Sequence, residues 1–88
     1  MTLQEKIDKL PLSIEYEGVV NELELLATAE YVQVLYSGSD YSKSKQYPKF
    51  TLLLCERFDL DGSKSLFECI EIVVDRALTI IENNEWEK

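Results

Sequence analysis

The stretch SLFECIEIVVDRALTIIEN, residues 65–83, decides how the rest of the chain is read. Leu66, Ile70, Val73, Ala77 and Ile80 recur at helical spacing, and Val74, Leu78 and Ile81 widen that apolar stripe. Glu68, Glu71, Asp75 and Glu82 fall together on the opposite side. Ser65 followed three residues later by Glu68 is a capping box, in which each side chain satisfies a backbone N–H at the helix start. Asn83 and Asn84 supply a stop, because Asn tolerates the left-handed conformation. Ile72, Val73, Val74, Ile80 and Ile81 are β-branched and disfavour helix mildly, but the length of the periodic run outweighs them. A helix this apolar persists only when its stripe is covered, so the remaining segments must supply that cover.

Two segments upstream have strand composition. Residues 30–37, EYVQVLYS, are rich in Tyr and Val. Residues 50–58, FTLLLCERF, place Phe50, Leu52 and Leu54 on one face and Leu53 and Cys55 on the other. Apolar residues on both sides imply a strand at least partly covered on each. The two strands pair antiparallel around SGSDYSKSKQYPK, residues 37–49, a polar connection that is long for a hairpin.

The N-terminal segment TLQEKIDKL, residues 2–10, reads as a short helix. Thr2 and Glu5 form a second capping box, Leu3, Ile7 and Leu10 make the apolar edge, and Pro11 ends it. Residues 12–28, LSIEYEGVVNELELLAT, admit two readings. As a helix starting after Ser13, they align Tyr16, Val19, Val20, Leu23, Leu26 and Ala27, with Glu15 and Glu17 in the first turn, where the helix dipole favours acids. No Gly, Asn or Pro follows to make a tight turn before Glu30, which favours this helix. The competing reading makes residues 19–27 a third strand.

These elements predict one small α+β domain over residues 1–88: one or two short N-terminal helices, then an antiparallel hairpin or three-stranded sheet. The long amphipathic C-terminal helix packs on that sheet. Two strands are thin cover for so apolar a helix, so a homodimer that extends the sheet or pairs the helices is expected to complete it.

Composition narrows the function classes. The chain carries 17 acids against 9 bases, a net charge of −8, and no histidine. That balance disfavours direct nucleic-acid binding, which depends on Lys and Arg neutralising phosphates, and docking on an anionic membrane. It suits a basic protein partner. Without histidine, the usual general base near neutral pH is missing. Cys55 and Cys69 match no metal or redox spacing and read as small buried apolar side chains. No glycine-rich phosphate loop and no nucleophile elbow occurs. No apolar run is long enough to span a bilayer, and MTLQEKIDKL does not resemble a signal peptide, so a cytoplasmic location is expected.

Three features are candidates for chemistry. RFDLDGSKSLFE, residues 57–68, invites comparison with a calcium loop, but Arg57 stands where the first carboxylate is needed. It reads instead as a turn at Asp61-Gly62 leading into the Ser65 cap. The row Glu68, Glu71, Asp75 and Glu82 keeps like charges one turn apart at a small cost, as a surface for docking Lys and Arg would. The connection 37–49 interleaves Tyr41, Lys43, Lys45 and Tyr47 with serines, the composition of an adaptable binding loop, and Tyr36 stands beside it.

The expected function is therefore that of a non-enzymatic acidic protein that binds a basic protein surface, as small inhibitors, immunity-type proteins and DNA mimics do. It needs no cofactor, metal or catalytic residue. The partner-binding residues are Glu68, Glu71, Asp75 and Glu82, with Tyr41, Lys43, Lys45 and Tyr47. The alternative is a homodimeric regulatory or assembly subunit that senses a small anion through residues 37–49.

Overall fold

The computed structural model describes residues 1–86. Its elements are α1 (Leu3–Asp8), β1 (Ser13–Tyr16), β2 (Val19–Ala27), β3 (Tyr31–Asp40), β4 (Lys49–Asp59) and α2 (Leu66–Asn83). The strands form one antiparallel meander in the order β1-β2-β3-β4. Helix α2 lies across β3 and β4 on one side of this sheet, and α1 packs against α2. The chain is thus an α+β domain, with the predicted N-terminal and C-terminal helices in place. Thr2 caps α1 in a complete capping box, Ser65 caps α2, and Asn84 ends α2 at φ 49°.

The helix expected over 12–28 is not formed; that segment is the β1–β2 hairpin. Glu17 and Gly18 are its two-residue loop, at φ 52° and 80°, the left-handed pair that matches the twist of the flanking strands. The second turn needs neither Gly nor Pro. Thr28 Oγ1 accepts the backbone N–H of Glu30 at 3.1 Å and of Tyr31 at 3.0 Å, and Thr28 N–H donates to Tyr31 O at 2.8 Å. A threonine hydroxyl does the work assigned to Gly or Asn in the sequence reading. Helix α2 rests mainly on β3 and β4, and β1 and β2 extend the same sheet beside them.

The core is built by α2 on the alternate residues of β3. Val32, Val34 and Tyr36 lie under Cys69, Val73, Val74 and Ala77, with Leu10 and Leu54 completing the buried set. Three findings around this core correct the sequence reading. Tyr36 belongs to the core and not to the loop; its hydroxyl donates to the Pro11 carbonyl at 2.7 Å. Burial pushes its pKa up to about 12. Cys69 is buried as expected, but Cys55 is exposed on the other side of the sheet.

The third correction concerns β4. Tyr36 pairs with Leu54 and Ser37 with Leu52, so Leu53 is the extra residue of a β-bulge. The bulge breaks the alternation. Leu54 points into the core, while Phe50 and Leu52, expected on the same face as Leu54, are exposed. The strands also run further than predicted, to Asp40 and from Lys49, which shortens the connection to residues 41–48.

Asn21 is the buried polar residue of the sheet. Its amide donates to Ile14 O at 3.4 Å and Val19 O at 3.2 Å, and its Oδ1 accepts from Thr51 Oγ1 at 3.0 Å. Trp86 folds back against the core, and no helix among the described residues is long and apolar enough to cross a membrane.

Candidate partner-binding surface

The predicted acidic row on α2 is present on its solvent side, but α1 reaches into it. Lys6 Nζ lies 3.1 Å from Asp75 and 3.9 Å from Glu71, so a cation from the same chain sits at the centre of the row. Glu68 takes part in the Ser65 cap, its Oε1 accepting from the Ser65 hydroxyl at 3.3 Å. Glu82, the penultimate residue of α2, is exposed. The row is therefore split between a structural end and a bridged middle.

The predicted loop residues separate in a similar way. Tyr41 and Tyr47 are exposed, at 56% and 80%, and Lys43 and Lys45 stand on the same short connection. Asp40 begins it. Hydrogen bonds from the Ser42 hydroxyl and backbone hold its carboxyl below the ordinary aspartate value. A carboxylate fixed at the mouth of a lysine loop weakens its attraction for a small anion. Tyr41 turns instead to the sheet.

The sheet side opposite α2 is a surface that the sequence reading did not find. Val20, Phe50 and Leu52 are exposed there at 52%, 66% and 56%. Together with Tyr41, Glu22 and Gly38, Val20 and Phe50 line a shallow depression of about 380 Å³. Gly38 also closes this end of the sheet tightly, since a Cβ there would meet the Val20 carbonyl oxygen. Glu15 pairs with Val20 across β1 and β2, and Glu24 pairs with Leu35, so carboxylates border the apolar residues on the β1–β2 side. On the β4 side Arg57 is held twice. Its guanidinium carbon sits 4.0 Å from the centroid of the Tyr31 ring, and its Nε lies 3.0 Å from Asp59.

One signal in the sequence could have revealed part of this surface. The Glu-Gly dipeptide flanked by Ile14, Tyr16 and Val19 marks a hairpin, and a hairpin puts Glu22 and Glu24 on one face by the period of two. The bulge that sends Phe50 and Leu52 outward left no signal in composition. On the α2 side a separate cavity of about 440 Å³ is bordered by Tyr16, Asn21, Asp40, Lys49, Thr51 and Trp86, among others. The Asn21 and Thr51 polar atoms are already bonded to each other there. Among the described residues, no three His, Cys, Asp or Glu side chains converge to hold a metal ion.

Comparison with known protein families, with characterised proteins and with solved structures gives no match. The surface has to be read from its own chemistry.

Proposed function

We propose that this is a non-enzymatic acidic interaction protein that holds a basic protein partner against the open side of its sheet. The observation that carries the reading is one cluster: Val20, Phe50 and Leu52, each more than half exposed, on the face that bears Glu22. Large apolar side chains in mutual proximity on a free sheet face lower their free energy when a partner covers them. The carboxylates along β1 and β2, and the chain's net charge of −8, select a partner with Lys or Arg around its own apolar patch.

The acidic row of α2 contributes to long-range attraction of the same partner. We assign the contact itself to the sheet face, where Val20, Phe50 and Leu52 are exposed beside the carboxylates of β1 and β2.

The test compares variants in affinity capture of the partner, followed by binding measurements with that partner once purified. Phe50→Ser with Leu52→Ser removes the apolar centre, and Glu22→Lys reverses the border. Each is expected to weaken binding by about tenfold or more, whereas Glu68→Lys with Glu82→Lys on α2 changes the association rate and its salt dependence with a smaller effect on affinity. Unchanged binding by the sheet variants, alongside loss in the α2 variant, would return the contact to α2.

A further inference from the structure

We infer that part of the basic partner binds as an extended strand added to the free edge of β4, along residues 54–59, with its Lys or Arg side chains directed to the α2 side. This rests on the partner being basic and adds the conformation in which it is held.

The sheet has two edges, and they differ. Strand β1 is four residues long and follows Pro11, so it offers little to pair with. Strand β4 is eleven residues long, contains no proline and has β3 as its one neighbour. An edge strand presents a row of backbone N–H and C=O groups ready for another chain. Proteins commonly blunt such edges with bulges and charges, and β4 has both. The bulge, however, is at Leu53. Downstream of it, residues 54–59 keep an unbroken register with residues 31–36, so a straight ladder remains.

Beside this straight segment runs a groove of about 370 Å³ between β4 and α2. Glu56, Asp75 and Glu85 supply its carboxylates, Ile80 its apolar floor, and Arg76 its single base. Arg76 is drawn toward the Phe58 ring, its guanidinium carbon 5.8 Å from the centroid. Asp75 is already bridged by Lys6, but no Lys or Arg among the described residues lies within ion-pair distance of Glu56 or Glu85. A strand added to the edge points every second side chain into this groove. Lys and Arg fit it because their methylene stems can lie on Ile80 while their charged ends reach Glu56 and Glu85. The other side chains emerge on the open face beside Cys55, Arg57 and Asp59, next to the apolar row of Leu52 and Phe50. The partner segment therefore carries Lys or Arg at every second position.

The probe is a short peptide alternating Lys and Val, titrated into the full chain and followed by amide shifts in NMR. Controls are the same peptide N-methylated at alternate residues, to block the ladder, and a Glu–Val peptide. The expected result is saturable binding with shifts along 54–59 and at Asp75–Ile80, about tenfold or more weaker for the N-methylated peptide, for the Glu–Val peptide and for Glu56→Lys with Glu85→Lys. An unchanged far-ultraviolet circular dichroism spectrum shows that this variant is folded. If the N-methylated peptide binds equally, with shifts at Val20, Phe50 and Leu52, strand addition is overturned and docking on the face stands. If Glu–Val binds as well as Lys–Val, the basic partner itself is overturned. Sedimentation showing a dimer that the peptide cannot dissociate would assign the edge to a second copy and overturn the inference.

Discussion

Thr51 donates a 3.0 Å hydrogen bond to Asn21 although their strands, β4 and β2, are not neighbours in the sheet. The bond crosses over β3 at Gly38, which pairs with Thr51 and has no side chain to stand in the way. One missing Cβ thus lets three strands share a buried polar contact. Thr51→Val should cost about 1 kcal/mol, the loss of one hydrogen bond with Asn21 Oδ1 left unpaired. Gly38→Ala should cost more, about 1–3 kcal/mol, because the new methyl group meets the Val20 carbonyl, which is backbone and cannot turn aside. Urea midpoints at constant slope measure both; equal costs for the two variants would contradict the steric account.

Tyr36 makes stability depend on alkaline pH. Its folded-state pKa, raised to about 12 by burial, lies above the unfolded value of 10.0. The folded state therefore holds the phenol proton more tightly. The sign follows: this contribution is fully present below pH 10.0 and is lost as pH climbs toward about 12. Tyr36→Phe should remove that part of the alkaline decline while lowering stability at neutral pH by about 1–2 kcal/mol, since the Pro11 carbonyl loses its donor. Thermal midpoints of both proteins across this range decide it. Parallel pH curves would mean that the phenol does not resist ionisation.

The hairpin loop carries a correctable cost. Glu17 holds φ 52°, a conformation that disfavours most side chains and that Asn accepts more readily. Glu17→Asn creates an Asn-Gly loop and should stabilise the fold by about 0.5–1 kcal/mol. A lower unfolding midpoint in the variant would argue that the Glu17 side chain has a role the geometry does not reveal.

The two cysteines should behave as different reagents. Cys55 is exposed on the open sheet face, and Cys69, on the sheet-facing side of α2, is 1% exposed. A thiol-specific chromogenic disulfide should label one site rapidly in the native protein and the second only in denaturant. Native Cys55→Ser should then show almost no fast phase. Rapid labelling of both thiols would mean that α2 opens readily from the sheet.

The helices were legible in the sequence because their signals are local. Thr2 with Glu5 and Ser65 with Glu68 satisfy helix ends within one turn, and the apolar spacing of α2 repeats over its whole length. The segment 12–28 was not, because its apolar residues fit a helix face and a strand face alike. Two contacts made only after folding decided it: a left-handed Glu17-Gly18 loop and a threonine hydroxyl closing the next turn. The acidic row of α2 was visible as spacing, but Lys6 reaches it from a helix 69 positions away in sequence, and no periodicity reports that.

By itself the sequence determined that a long amphipathic C-terminal helix would pack on an antiparallel sheet, because capping and periodicity act between residues a few positions apart. Tertiary structure alone decided which apolar residues are left in water. The bulge at Leu53 reverses the facing of everything before it on β4, sending Phe50 and Leu52 outward while Leu54 stays in the core. A bulge is fixed by how one strand's hydrogen bonds meet its neighbour's, which is a property of the pair and not of either stretch of chain.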